Sequence, residues 1–435
     1  MSRPSLFAAN AVVACVFLLH GLPRACAAEA DSPAAPPVVR AEIRVGIDEG
    51  DLRGNDHRAL QAAIDYVANL GGGTVHVGPG RYEMRNALRL RDGVNVVGVP
   101  GKTVLVACDG FESALTLDGD CNERQITVAD PARFRVGDGV SVQDSRTEGG
   151  FGVTTATLLA QTGPDTFAIS TPLYFDYLVS NQATARLVFP VVGGWQAKDV
   201  VVEGLVIDGN RERAQPLNGC RGGGIYLFEC DRVTIRNCHV KDYNGDGISF
   251  QVSQHVTVED CVVEEHAGLG IHPGSGSQHP IVRRNRATGN GRDGCFVCWR
   301  VKHGLFEDNV FEGNRRYGIC IGHKDTDNLF RNNTVVKNAE AGLFFRNESE
   351  AMGAHRNVFE KNRILDNGDP ATSSRPAAVV IKGTHHDLVF RDNEIGNTEP
   401  GGQSKIGILT NAASRNLTAE EGQFRNVEKT IETRK

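Results

Sequence analysis

The sequence has no excess of basic residues, and that shortage removes one class of function at once. Lys and Arg number 47 against 53 Asp and Glu, a net charge of −6, so grasping nucleic acid through its phosphates is not the main task, although a local cationic groove is compatible with this balance. Proline is held to 17 residues and hydrophobics reach 40 %, which excludes both a collagen-like and a disordered chain. No segment beyond the first 27 residues approaches a membrane span. The cysteines lack the pattern of a disulfide framework. Eleven are present, and Cys295 and Cys298 have a zinc-like spacing but no second Cys or His pair at ligand distance. They read as buried thiols in strands.

What is abundant is glycine, 50 of 435 residues, so a folded chain of this composition needs many turns. The length suits two or three average domains or one long repeat array. Its start is a leader: Arg3, an apolar run from Leu6 to Leu19, and the small-residue site Ala25-Cys26-Ala27 before Ala28. Cleavage there removes Arg3 and Arg24 and leaves a mature charge of −8 with nine cysteines, an odd number. The expected location is secreted or periplasmic. A lipoprotein reading through Cys15 would make the leader unusually short.

Self-similarity decides the fold. Gly224, Gly247, Gly270, Gly294, Gly318 and Gly342 each open a short apolar segment and follow one another at intervals of 23 or 24 residues. A second strand follows each one, as in VTIRNC, VTVEDC and GLFEDN, and then a polar turn. The alternation has period two, so the units are strands. A unit this small cannot bury an apolar face alone, whereas stacked units close a continuous core. The pattern predicts an all-β parallel β-helix with one repeat per coil. Cys238, Cys261, Asn285, Asn309, Asn333, Asn362 and Asn393 then form one column and Asn290, Asn314 and Asn338 another, with the amides stacking for structure.

Around this array the sequence divides into a signal peptide over 1–27, a linker over 28–45, and a cap helix with the first coils over 46–120. An inserted β-rich subdomain follows over 121–190, then the β-helix over 191–415 and a tail over 416–435. The cap is read from DHRALQAAIDYVANLGGG, whose Leu60, Ile64, Val67 and Ala68 lie at helical spacing before a Gly stop. The insert is read from FRVGDGVSV, TTATLLA and DTFAIS, which break the coil rhythm. Later coils, at Ala378 and Gly407, are irregular enough to carry loops that wall a groove.

With AAIDYVANLGGGTVHVGPGRYEM and GLVIDGN in place, the chain resembles the secreted right-handed parallel β-helix superfamily of pectate lyases, polygalacturonases and alginate C5-epimerases. The resemblance covers residues 55–110 and 195–410, and its pattern is nearest the epimerases. It implies a right-handed coil and a polysaccharide partner. The epimerase motif would be Tyr-Gly-Phe-Asp-Pro-His, but the matching positions here read Leu269-Gly270-Ile271-His272-Pro273-Gly274 or Asp246-Gly247-Ile248-Ser249-Phe250-Gln251, so its catalytic residues are not carried over. Asn244-Gly245-Asp246 meets the first half of a polygalacturonase pattern, but Leu269-Gly270 stands where paired Asp would follow.

Outward and turn positions, read coil by coil, gather ionisable groups on one edge. They are His272; Trp299, Arg300, Lys302 and His303; His323, Lys324, Asp325 and Asp327; then Arg346, Glu348 and Glu350, with Lys382 and His385 beyond. The repeat offset stacks Trp299 on His323, and Arg300 on Lys324 and Glu348. The plain alternative is a solvated charge ladder. Asp325, Asp327 and Glu350 could instead supply oxygens to Ca²⁺, the one cofactor the residues suggest. The expectation is an enzyme acting on a uronate-containing polysaccharide by β-elimination. Arg346 and Arg300 would neutralise the carboxylate, His323 or Lys324 act as base and His272 as acid, with Trp299, Lys302, His303, Glu348 and Lys382 binding the chain. An epimerase or a hydrolase on the same fold, and a non-catalytic sugar-binding or structural β-helix, are the rivals.

Overall fold

Each Gly-led segment opens a strand of one twelve-stranded, parallel sheet, here called the front sheet. A computed structural model describes residues 40–147, 151–371 and 373–434; the leader and residues 28–39 of the linker lie outside the described residues. Along the front sheet the inward positions pair in register, Ile225 with Ile248, Ile248 with Ile271, Ile271 with Cys295, Cys295 with Ile319 and Ile319 with Leu343. All six are buried.

The second strand of every coil joins a thirteen-stranded sheet and the third an eleven-stranded one. The chain is a right-handed parallel β-helix of three sheets around one apolar core. Because the repeat brings like residues over one another, Phe306, Phe330, Phe359 and Phe390 stack with ring centroids 4.5, 4.8 and 4.9 Å apart. Each corner between the second and third sheets holds one residue at positive φ, such as Asp260, Arg284, Asp308 or Asn332, and the next residue turns inward. There Asn285, Asn309, Asn333, Asn362 and Asn393 pass amide hydrogen bonds of 2.9 to 3.1 Å along the column to Gln423. A second ladder runs from Asn290 through Asn314 and Asn338 to Asn367, each step 2.9 Å. These amides satisfy one another and the backbone, the structural role expected of them.

The helix His57–Asn69 packs against the first strands through Leu60, Ala63, Ile64 and Val67, with Asp56 as N-cap. The insert is an antiparallel sheet whose strands run from Glu112–Ala114 to Thr184–Leu187. It begins before residue 121 because its outer strand is too short and polar to stand out in the sequence. At the other end, residues expected as a tail form Arg415–Ala419, Phe424–Arg425 and Lys429–Arg434, one more coil. Its apolar positions Leu417, Phe424 and Ile431 are only partly covered at the open end, so its periodicity is diluted by polar neighbours. None of the helices among the described residues is long and apolar enough to cross a membrane.

Candidate functional site

On the front sheet the outward position next to the buried Ile or Leu forms a column, Tyr226 paired with Ser249 and Ser249 with His272. Phe296 follows, its ring edge-on to His272 at 5.2 Å. His272 is nearly covered: its Nδ1 lies 2.8 Å from Asp246 Oδ2, and the two side chains are 5 % and 7 % exposed. The other carboxylate oxygen of Asp246 accepts the Leu269 N–H at 3.0 Å, so the acid is fixed from two sides. Beside this pair Ser249 Oγ donates to the Gly219 carbonyl at 2.6 Å and Gln251 Nε2 donates to Ser249 Oγ at 2.9 Å. Gln251 Oε1 is buried without a partner.

From the opposite side Arg346 leans back over two coils, its guanidinium carbon 4.7 Å from the Phe296 ring centroid. It donates to Asp325 Oδ2 at 3.0 Å and to the Val297 carbonyl at 2.9 Å, while its Nε is buried and unbonded. Burial pushes the Asp325 carboxyl upward, against the pull of Arg346 and of the Val301 and Gly322 N–H groups. Arg346 Nε also lies 3.8 Å from Glu348, and Glu348 lies 3.0 Å from His323 Nε2. Burial, then Arg346, lowers His323 to about 4; burial raises Glu348, with Arg346 opposing. An imidazole that is neutral at neutral pH and a carboxyl raised above its ordinary value thus sit against one cation.

Trp299 closes this cluster, its ring 4.8 Å from His323. The remaining candidates are placed differently. Arg300 and Lys324 are exposed on the turns, and the expected Arg300–Lys324–Glu348 ladder does not form, because the register shifts after Phe345 and Glu348 swings to His323. Lys302 belongs to a bridge ladder with Gln278 and Thr326, and His303 stacks on His279 at 5.1 Å, on the turn that leads into the second sheet. Lys382 lies over Phe344 at 5.3 Å. His385 is buried and holds backbone, with Nδ1 accepting from Ala354 N–H at 2.9 Å and Nε2 beside the Lys382 and Arg346 carbonyls.

The carboxyls considered for Ca²⁺ do not converge. Asp325 pairs with Arg346, Asp327 with Arg356 at 2.7 Å and Glu350 with Arg415. Among the described residues no group of three His, Cys, Asp or Glu could hold a metal ion. The nine cysteines of the described residues are all unpaired thiols, five of them buried. Two site residues escaped the sequence reading. Phe296 is hidden among apolar positions, and Asp246 shows in the sequence only as part of the Asn-x-Asp and Asp-Gly-Ile comparisons, although its partner His272 lies one coil and three residues further on.

A family model described as a right handed beta helix region matches residues 194–351. The likeness is to a fold. The chain is 39 % identical over 75 residues to the mannuronan C5-epimerase AlgE3 of Azotobacter vinelandii, a match covering 15 % of this chain and 4 % of that protein. Among solved structures, the Dettilon tailspike protein superposes with a TM-score of 0.54 at 12 % identity, covering 86 % of this chain and 64 % of that one. PfbA, a surface adhesin of Streptococcus pneumoniae, gives a TM-score of 0.50 at 14 % identity, covering 89 % and 93 %.

Proposed function

We propose that the protein is an exported carbohydrate-active enzyme that lays a uronate-containing polysaccharide along its front sheet and cleaves it by β-elimination. The observation that carries this reading is the flanking of Phe296 by His272 on one side and by the Arg346 guanidinium on the other. A cation at that place neutralises the uronate carboxylate and so makes the C5 proton removable. With Nδ1 committed to Asp246, His272 offers Nε2 as the base. The electrons of the C5–H bond form the C4–C5 double bond, the C4–oxygen bond breaks, and the departing oxygen takes a proton from solvent water. His272 is therefore the base here, where the residue types first suggested an acid.

C5 epimerisation shares the first step and returns a proton to the opposite face instead of expelling the oxygen. The 39 % identity with a mannuronan C5-epimerase over 75 residues favours keeping it as the second reading. Export rests on the leader pattern of residues 1–27. Incubation with polygalacturonate, alginate and neutral glycans, followed by absorbance for unsaturated uronate and by reducing-end release, tests the proposal. An absorbance rise on an acidic glycan alone is expected; reducing ends without that rise would make the protein a hydrolase.

A further inference from the structure

North of the His272 column, towards the first coils, the front sheet meets the inserted antiparallel sheet across a cleft of about 270 Å³. Its floor is Trp195 and Phe228, and its walls include Arg89, Thr157, Ser170 and Tyr174. Trp195 lies flat along its own strand because Gly193 has no side chain; a Cβ there would come within 2.4 Å of the ring. The Arg89 guanidinium stands 4.6 Å from the Trp195 ring centroid, and Tyr226 lies 6.1 Å away on the side that leads to Ser249 and His272. Among the described residues no carboxylate lies within ion-pairing distance of Arg89. Asp65, the acid whose field reaches it, is held instead by Arg91 at 2.8 Å. Glu229 is on the exposed rim, bonded to the Gln196 amide at 2.8 Å.

A half-buried arginine without a counter-charge beside an aromatic platform is costly to keep unless something anionic and flat is brought to it. Carbohydrate rings present such a combination when they carry a carboxylate: the apolar ring face stacks on indole and the carboxylate takes the guanidinium fork. The volume is near the lower limit of roughly 300 Å³ for small-molecule sites, room for a ring-sized unit. Trp195 pairs with Phe228, Phe228 with Gln251 and Gln251 with Gly274. That is three strand spacings, roughly 14 Å, from the coil of His272.

We propose that the Arg89–Trp195 cleft is a distal subsite that holds one acidic sugar of the chain whose reacting unit lies at His272 and Arg346. The inference rests on the proposed function for the identity of the ligand, and the insert then acts as the wall that extends the groove. Remote binding of this kind fixes the register of a long chain, and it is unavailable to a short one.

The sequence has two tryptophans, so Trp299→Phe leaves Trp195 as the sole tryptophan reporter. In that variant, heptamers and dimers of galacturonate and of mannuronate are titrated, with a neutral cello-oligosaccharide as control, reading Trp195 emission and calorimetric heat together. Saturable emission change with an acidic heptamer and none with the dimer or the neutral chain is expected, and adding Arg89→Gln should weaken heptamer binding at least tenfold. A heptamer that binds by calorimetry but leaves Trp195 emission unchanged, or an Arg89→Gln affinity equal to the parent, overturns the subsite and leaves the lyase reading standing. Binding that reaches Trp195 without any turnover by the wild-type chain overturns the lyase reading alone. No heat from either acidic heptamer with the wild-type chain overturns both.

Discussion

Asp246 and His272 meet across neighbouring coils, Oδ2 to Nδ1 at 2.8 Å, although 26 positions of sequence separate them. One coil accounts for 23 of those positions, and the remaining three carry the chain from the end of a turn to the first outward place on the strand. The carboxylate sets which ring nitrogen carries the proton, so the other is presented as a lone pair.

Replacing Asp246 by Asn should therefore lower turnover about a hundredfold on the best acidic substrate while KM changes little. Removing the ring altogether in His272→Ala should cost on the order of 10² to 10⁴ in rate. Steady-state kinetics with circular dichroism as a check on folding read both. Full turnover in His272→Ala would assign the base elsewhere.

Arg346 has two duties, and they come apart by substitution. Arg346→Ala leaves Asp325 buried without its cation and should destabilise the protein by about 3 kcal/mol as well as abolish activity. Arg346→Lys keeps the charge but loses the planar fork, so activity should fall far more than stability. Urea midpoints beside kcat/KM make the comparison. Equal activity in the Lys variant would remove the carboxylate fork from the account.

The amide ladders make a stability prediction independent of function. Asn309 donates to the Val282 carbonyl at 2.8 Å and to Asn333 at 3.0 Å, and accepts from the Asn285 backbone and side chain at 3.0 Å. Asn309→Ala strands the buried Asn285 donors on one side and takes a donor from the Val282 carbonyl and Asn333 Oδ1 on the other, and a loss of about 3 kcal/mol is expected from chemical denaturation.

This ladder also shows what the sequence makes legible and what it conceals. The Gly spacing and the Asn columns are visible because every coil repeats them, and the strands fall where those spacings put them. The cap helix is equally plain from Leu60, Ile64 and Val67. Contacts that depend on one unrepeated event are not visible: the register shift after Phe345 that swings Glu348 to His323, the lean of Arg346 over Phe296, and the last coil with its half-covered Leu417 and Phe424. Stacking Trp299 on His323 follows from the repeat alone, whereas the placing of His303 on His279 at the turn into the second sheet does not, since a single turn residue decides which sheet a side chain joins.

His266 takes the place of an Asn at the head of the second ladder, and burial lowers it to about 4, against the pull of the Val240 carbonyl. Unfolded, the same group titrates near 6.5. The unfolded chain thus binds the proton first as pH falls, so stability should decline from about pH 6.5 down to about pH 4, by roughly 3 kcal/mol from this group. Denaturation midpoints measured across that window test it; His266→Asn should flatten the slope.

The most direct test of the central claim is the fate of a defined galacturonate or mannuronate hexamer digested in H₂¹⁸O and, separately, in D₂O, with products weighed by mass spectrometry. β-Elimination predicts fragments whose masses sum to that of the substrate, one end unsaturated and no ¹⁸O taken up, and His272→Ala should yield none. Fragments carrying one ¹⁸O at the new reducing end would contradict elimination, and an uncleaved hexamer that gains deuterium at C5 would replace it with epimerisation.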